Sequence, residues 1–194
     1  IERIYVDKKI YNDFLELFIS KTYEYKLGNP LNKDTNLGPV VKLSAAKFIE
    51  DQIKSAVKQG AKMMIDKSKF KYSAEHKNYM IPQVLTAVNH KMDFMMEETF
   101  GPCVGIMPVA NDKEGVNLMN DSPYGLTASI WTKDIEAAEK LGDQVNTGTL
   151  FMNRCDYLDP GLSWTGVKET GKGCSLSEIA YEHLTKPKSF HLRK

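Results

Sequence analysis

The sequence predicts an α/β fold in which a mostly parallel sheet is flanked by helices. Three apolar runs in its second half, residues 104–109, 128–132 and 149–153, have the composition of buried strands. The stretches between them, residues 113–119 and 135–145, repeat apolar side chains at helical spacing. Because strands that alternate with helices need right-handed crossovers, these strands are expected to run parallel.

The first strand and the first helix are predicted from the start of the chain. Residues 3–6 form a short strand-like run. Apolar residues then recur at helical spacing through Ile10, Phe14, Leu17 and Phe18. The sequence Gly-Asn-Pro at residues 28–30 is expected to stop this helix, since proline cannot continue it.

A second helix and two more strands are predicted next. Ser44 is a plausible N-cap, and Gly60 is well placed as the C-cap. The predicted apolar face of this helix consists of Phe48, Ile49, Ile53, Ala56 and Val57. Residues 61–65 and 80–85 resemble strands, and a polar, lysine-rich loop separates them.

Charge and composition exclude two classes of partner. The net charge is +1, from 26 basic and 25 acidic residues, and Arg3, Arg154 and Arg193 are the arginines, so no nucleic-acid binding is expected. Hydrophobic residues make up 42% and charged residues 26%, as in globular chains. No apolar run reaches membrane-spanning length, so no membrane partner is expected.

The cysteines predict neither a metal site nor a redox pair. Cys103, Cys155 and Cys174 lie at wide, irregular spacing without a C-x-x-C pair. Inert thiols are the favoured interpretation of all three, although the neighbouring Arg154 could lower the pKa of Cys155. So few cysteines without a disulfide framework suit a reducing cytoplasm, which is the predicted location.

The hexapeptide Glu-Glu-Thr-Phe-Gly-Pro at residues 97–102 carries the most chemistry. A carboxylate can accept hydrogen bonds from both hydroxyls of a ribose, and a phenyl ring can lie against a flat heterocycle. The Gly-Pro step fixes the angle between the two groups. An acidic loop with a core phenylalanine is the alternative interpretation of the same residues.

The hexapeptide resembles the Glu-Glu-x-Phe-Gly-Pro motif of the aldehyde dehydrogenase superfamily. Further segments resemble that family in the same order along the chain. Gly-Asn-Pro and Gly-Pro segments lie at residues 25–30 and 37–40. The block Asn-x-x-x-Tyr-Gly-Leu lies at residues 120–128, and a strand ending in Asn lies at residues 147–153. A closing block around Gly-x-Lys-x-x-Gly lies at residues 164–171. Several blocks in the right order are far more specific than any one of them.

The resemblance implies a function for the whole protein and a role for four residues. The implied reaction is the NAD(P)-dependent oxidation of an aldehyde to a carboxylic acid through a cysteine thiolate. Glu98 matches the residue that holds the nicotinamide ribose, and Phe100 matches the aromatic that positions the nicotinamide ring. Asn153 begins the loop lining the substrate entrance, and Trp164 matches a pocket aromatic. No catalytic residue and no metal ligand is assigned, and the cofactor is NAD or NADP.

The resemblance also implies a division of the chain. Residues 1–185 match a catalytic-domain segment, and residues 186–194 match a carboxyl-terminal oligomerisation strand that pairs with a neighbouring subunit, giving a homo-oligomer. Ser-Phe-His-Leu at 189–192 alternates polar and apolar residues as an edge strand does. A frayed terminus is the alternative.

The family's nucleophilic cysteine, general base and cofactor domain would precede the segment that residues 1–6 resemble. The chain is therefore expected to be the carboxyl-terminal segment of a longer enzyme and inactive alone. The alternative is a truncated, non-catalytic homologue that acts as an assembly or interaction module.

Two departures and one competing motif complete the prediction. Thr165 replaces a family glycine, and the polar loop at residues 154–160 could favour a small or charged aldehyde. Residues 166–172 fit the start of a phosphate-binding P-loop, but Gly173 stands next, where serine or threonine should hold magnesium. Nucleotide binding by this glycine loop is therefore disfavoured.

Overall fold

The computed structural model describes residues 1–70, 77–155 and 157–194. Two compact units make up the chain, Ile1–Gly115 and Val116–Lys194. Helices and parallel strand pairs occur in both, which confirms the α/β class. The predicted boundary between residues 185 and 186 concerns assembly and stays a prediction.

The first unit is built on a four-stranded sheet. Its elements are β1 (Arg3–Asp7), α1 (Tyr11–Thr22), α2 (Leu43–Lys58), β2 (Lys62–Met63), β3 (Gln83–Thr86), α3 (Asp93–Met96), β4 (Cys103–Val109) and the first part of α4 (Asp112–Asn120). The strand order is β1-β4-β3-β2. β4 runs parallel to both β1 and β3, and only the short β2 is antiparallel among these four strands.

Successive side chains of each strand point to opposite faces of this sheet, and helices cover both faces. Val84 and Ile106 belong to a cluster that includes Phe14 and Phe18 of α1. The next residue of β3, Leu85, belongs to a second cluster, formed mainly with residues of α2 and α3 such as Ile49, Phe94 and Met95. β3 and β4 therefore supply side chains to two separate apolar cores.

Several predicted boundaries in this unit are wrong. α1 ends at Thr22, before the Gly-Asn-Pro sequence, and α2 begins at Leu43 with Lys42 as its N-cap, so Ser44 lies inside the helix. The predicted C-cap is one residue late, since Gln59 is the C-cap and Gly60 follows it with φ at +106°, a conformation that suits glycine after a helix. The predicted strands 61–65 and 80–85 shift to β2 and β3, and the loop between them includes residues 71–76, outside the described residues.

The apolar face of α2 is rotated from the predicted one. Ile49 and Ala56 are buried as expected, but Phe48 and Val57 are exposed. Ala46 and Gln52 are buried in their place. The sheet and α3 pack against the face of α2 that contains Ala46 and Gln52. The sequence pattern alone cannot distinguish this face from the adjacent one that contains Phe48 and Val57.

The second unit consists of shorter pairings. After the end of α4 come β5 (Tyr124–Gly125), β6 (Thr127–Ile130), α5 (Ile135–Gly142), β7 (Thr149–Met152), β8 (Trp164–Thr165), β9 (Val167–Lys168), β10 (Cys174–Ser175) and α6 (Ile179–Leu184). β6 and β7 are parallel and are joined through α5, as the sequence predicts. β5 pairs with β9, and β8 pairs with β10, both antiparallel.

Gly148 permits a close backbone approach in this unit. A Cβ atom built at this position would overlap the carbonyl oxygen of Thr165 in β8. Any other residue would therefore push β8 away from the start of β7. The glycine in the Thr-Gly-Thr sequence is thus required by packing.

The carboxyl-terminal residues 185–194 have no helix or strand in the single chain. Phe190 and Leu192 are 72% and 87% exposed. The predicted strand would pair with another subunit, so it stays a prediction. Within the described residues, no helix has the length and apolar character needed to cross a membrane.

Gln52 is expected to destabilise the first unit. Its side chain is 7% exposed, and neither its Oε1 nor its Nε2 has a hydrogen-bond partner among the described residues. Replacing it with the similarly shaped methionine removes two buried polar atoms that lost their water. We expect Gln52→Met to raise the free energy of unfolding by about 1 kcal/mol in urea titrations.

Gln59→Met is the control at an exposed position, because Gln59 caps the same helix and its Nε2 donates only long hydrogen bonds to Ser55, at 3.3 Å to the hydroxyl and 3.4 Å to the carbonyl. This substitution should change the free energy of unfolding by less than about 0.5 kcal/mol. A loss of stability in Gln52→Met would show that the buried amide has a favourable role.

Candidate functional site

The hexapeptide at residues 97–102 links α3 to β4 and is fixed at both ends. The Glu97 amide donates to the Asp93 carbonyl at 2.8 Å, which ends α3. The Gln83 amide donates to the Pro102 carbonyl at 2.8 Å, which ties the other end to β3. The segment therefore lies at the amino end of β4, at the edge where β3 and β4 begin.

Within this segment the structure brings Glu98 and Phe100 out to the surface on either side of a buried threonine. Thr99 is 3% exposed, whereas the Phe100 ring is 79% exposed and Glu98 is also exposed. The alternative interpretation of Phe100 as a core residue is therefore wrong for this unit. A carboxylate and a phenyl ring stand two residues apart and open to a ligand.

Phe100 has a left-handed backbone conformation, with φ at +50°. This conformation costs a residue with a side chain roughly 1–2 kcal/mol, so neighbouring contacts must hold it. The carboxylate of Glu2 accepts hydrogen bonds from the Thr99 amide at 3.2 Å and from the Phe100 amide at 3.4 Å. No local pattern predicts this contact, because Glu2 and Thr99 are 97 positions apart in the chain.

The same surroundings change two ionisation equilibria. Desolvation, and secondly the negative charge of Glu2, raises the pKa of Glu98 above its usual value. Burial, with a smaller contribution from Glu2, raises the pKa of Cys103 to about 12. The Cys103 thiol therefore stays protonated at neutral pH, as an inert thiol should.

Asn153 lies at the carboxyl end of β7 and uses its side chain locally. Its Oδ1 accepts from the Thr132 amide at 3.0 Å, and its Nδ2 donates to the Thr132 carbonyl at 2.8 Å. Its φ is +56°, a conformation that asparagine adopts more readily than most residues. The amide thus extends the pairing of β6 and β7 and sets the direction of the loop that follows.

That loop is polar, as the sequence predicts. The Arg154 guanidinium lies 3.9 Å from the centre of the Tyr157 ring, and the Ser129 hydroxyl donates to the Arg154 carbonyl. Cys155 is exposed, and Asp156 lies outside the described residues. The cation–π contact uses the positive charge of Arg154 within the loop.

Trp164 is half-buried at the start of β8 and pairs with Ser175 of β10. β10 follows Gly173 directly, so the glycine-rich loop at residues 166–173 leads into a strand. A P-loop requires a helix at this point. The structure therefore contradicts the P-loop alternative.

Lys168 makes a structural contact that its sequence pattern does not predict. Its ammonium donates to the carbonyl oxygens of Asn120 and Ser122 at 2.8 and 2.9 Å. Nearby, the Gly125 amide donates to the Thr170 hydroxyl at 2.8 Å. These bonds attach the closing block to the Asn-x-x-x-Tyr-Gly-Leu block, and the presence of both blocks was the available signal.

No group of three or more His, Cys, Asp or Glu side chains in the described parts of the chain could hold a metal ion. The predicted site residues divide between the units. Glu98 and Phe100 share one segment of the first unit, and Asn153 and Trp164 belong to the second. Asn153 follows the carboxyl end of β7, whereas Glu98 and Phe100 precede the amino end of β4.

Comparison with known proteins decides the family. The model of the aldehyde dehydrogenase family matches residues 1–190. The chain belongs to the aldehyde dehydrogenase family. The resemblance drawn from the sequence blocks is thereby confirmed.

Individual relatives of the family agree. The chain is 32% identical over 186 residues to a 3-sulfolactaldehyde dehydrogenase of Priestia aryabhattai, covering 95% of this chain and 38% of that protein. It is 28% identical to the 4-trimethylaminobutyraldehyde dehydrogenase of Mus musculus, covering 96% of this chain and 38% of that protein. The chain thus spans about two fifths of the length of these relatives.

Solved structures have the same fold. The structure of Gox0499 superposes with a TM-score of 0.90 at 33% identity, covering 98% of this chain and 41% of that one. Betaine aldehyde dehydrogenase from Staphylococcus aureus, solved in complex with NAD+, superposes with a TM-score of 0.85 at 29% identity, covering 94% and 36%. Both units of this chain therefore belong to a known aldehyde dehydrogenase architecture.

The contacts of Asn153 predict a measurable contribution to stability. Asn153→Ala removes both hydrogen bonds to Thr132 and leaves a side chain that tolerates a positive φ poorly. We expect it to lower the free energy of unfolding of the second unit by about 2–3 kcal/mol.

Asn153→Gly is the comparison variant, because glycine adopts this φ without strain. It should be more stable than Asn153→Ala by about 1 kcal/mol in the same urea titration. Equal stability of the alanine variant and the unchanged protein would contradict the structural role of the asparagine amide.

Proposed function

We propose that the protein carrying this chain is an NAD(P)-dependent aldehyde dehydrogenase that oxidises an aldehyde to a carboxylic acid. Family membership supports this, as do the names of the relatives. The observation that carries the proposal is the exposed pair of Glu98 and Phe100 on a segment fixed at both ends. In this proposal residues 1–185 are part of the catalytic domain.

The side chains of this segment fit a nicotinamide nucleotide. The Glu98 carboxylate is exposed and can accept hydrogen bonds from two ribose hydroxyls. The Phe100 ring presents an uncovered face to a flat heterocycle. When bound, the nicotinamide supplies the acceptor for the hydride that leaves the substrate. Glu98 and Phe100 orient it, and neither makes or breaks a bond.

Asn153 and Trp164 would contribute to the substrate side. The Asn153 amide fixes the direction in which the loop at residues 154–160 leaves β7, and Trp164 offers a half-buried aromatic surface. The polar character of the loop favours a small or charged aldehyde. Asn153 would thus act by positioning the loop, since Thr132 already uses its amide group.

The described cysteines do not supply a nucleophile in this proposal. Cys103 is buried, and its pKa is raised to about 12. The thiolate that attacks the aldehyde would come from elsewhere in the whole protein, so residues 1–194 would bind and position but not react. A cytoplasmic enzyme that assembles through residues 186–194 completes the proposal, and the exposed Phe190 and Leu192 are the apolar side chains available for that contact.

The first test compares the full-length protein with residues 1–194 alone. The full-length protein should form NADH or NADPH from NAD+ or NADP+ with small aldehydes, followed at 340 nm. Residues 1–194 alone should form none, because in this proposal the nucleophilic thiolate comes from elsewhere in the whole protein. Steady reduction of the cofactor by the isolated chain would contradict the proposal, as would an inactive full-length protein.

The second test separates the two binding roles in the full-length enzyme. Glu98→Gln should raise the KM for the cofactor about tenfold, because a charged acceptor for the ribose hydroxyls is lost. It should leave the KM for the aldehyde nearly unchanged. Trp164→Ala should have the opposite pattern.

Glu97→Gln is the matched control, since it removes the same charge from the adjacent exposed position. Initial rates at varied cofactor and varied aldehyde measure both constants. An equal effect of Glu97→Gln and Glu98→Gln on the cofactor constant would remove Glu98 from the site.

A further inference from the structure

We propose that Glu2 is a positioning residue that holds the cofactor-binding segment of this enzyme in its working conformation. The inference rests on the proposed function, because the segment matters only if Glu98 and Phe100 contact a cofactor. Glu2 lies immediately before β1, far along the chain from Glu98 and Phe100. Glu2 itself does not touch the ligand in this proposal.

The geometry of two successive amides carries the inference. The Thr99 and Phe100 amides both donate to the carboxylate of Glu2, at 3.2 and 3.4 Å. Successive N–H groups in a turn form a concavity that binds anions. Here the chain supplies its own anion, and the contact ties the middle of the segment to β1.

Glu2 is well placed for this role by the sheet. The next residue, Arg3, pairs with Gly105 of β4, so the chain at Glu2 runs beside the start of β4. The hexapeptide enters β4 at the same edge. The parallel pairing of β1 and β4 therefore delivers the carboxylate to the amides without a separate loop.

The exposure of the Phe100 ring explains why the segment needs an anchor, here the two hydrogen bonds from the Thr99 and Phe100 amides to Glu2. Phe100 is 79% exposed and has φ at +50°, so packing of its ring within the unit does not hold the left-handed backbone. The bonds at Glu97 and Pro102 fix only the ends of the segment. Glu2 fixes the centre, between the two side chains that would meet the cofactor.

Glu2 acts on this segment through its charge as well as through its hydrogen bonds, and substitutions can separate the two effects. The negative charge of Glu2 is the second cause of the raised pKa of Glu98, after desolvation. Glutamine in place of Glu2 keeps one acceptor oxygen but removes the charge. Alanine removes both, so the two variants separate the hydrogen bonds from the charge.

The first measurement is amide hydrogen exchange in the full-length protein, which needs no activity. In Glu2→Ala, exchange at Thr99 and Phe100 should become at least about tenfold faster, since their acceptor is lost. In Glu2→Gln the increase should be smaller. Amides within β4 should exchange unchanged, which also establishes that the variants fold.

The second measurement is the dissociation constant of NAD+ and of NADP+ for the same proteins. Glu2→Ala should raise the constant for the preferred cofactor about three- to tenfold, and Glu2→Gln should recover most of the affinity. The KM for the aldehyde should not change. Glu97→Gln, which removes a nearby charge without touching the two amides, should bind the cofactor as the unchanged protein does.

The outcomes are distinguishable. Unchanged exchange at Thr99 and Phe100 in Glu2→Ala overturns the anchor, whatever the enzyme does. Faster exchange with unchanged cofactor affinity in an active enzyme overturns the positioning role and leaves the proposed function standing. A full-length protein that binds neither cofactor overturns the proposed function, and the positioning role fails with it, while the exchange data still decide whether the anchor exists.

Discussion

The parallel pairing of β4 with β1 on one side and β3 on the other is the interaction on which the first unit depends. β4 is central, and its side chains enter the apolar cores on both faces of the sheet. The edge at which these strands begin fixes three groups at once: Glu2 before β1, Gln83 at the start of β3, and Pro102 before β4. The hexapeptide is therefore held at the edge of the sheet, and the packed core below it restricts the movement of the backbone that carries its exposed side chains.

The second unit depends on a different principle. Its strands are two to four residues long, too short for backbone ladders alone to define their geometry. Side chains that bond to the backbone replace the missing ladder. Asn153 extends the β6–β7 pair, Lys168 bonds two carbonyl groups, and Thr170 accepts from Gly125. Residues that could be taken for binding groups in the sequence thus serve first as connections between strands.

The parts of the fold that follow from local pattern could be predicted, and those set by distant contacts could not. The apolar runs of β4, β6 and β7 locate these strands within one or two residues, because buried strands need continuous apolar sequence. The start of α2 was misplaced, because Lys42 caps the helix without a side-chain hydrogen bond and therefore leaves no recognisable signal. At the candidate site, the motif predicts Glu98 and Phe100, but the contact of their segment with Glu2 arises only when β1 pairs with β4.

The buried thiol of Cys103 can report how often the start of β4 separates from β3. The side chain is 7% exposed and its pKa is about 12, so a thiol reagent can modify it only in molecules where this edge has separated. The rate of modification is then the intrinsic rate multiplied by the open fraction, and each tenfold decrease corresponds to about 1.4 kcal/mol of local stability. Because the cysteine immediately follows Pro102, its labelling rate measures how often residues 97–102 lose the strand that supports them.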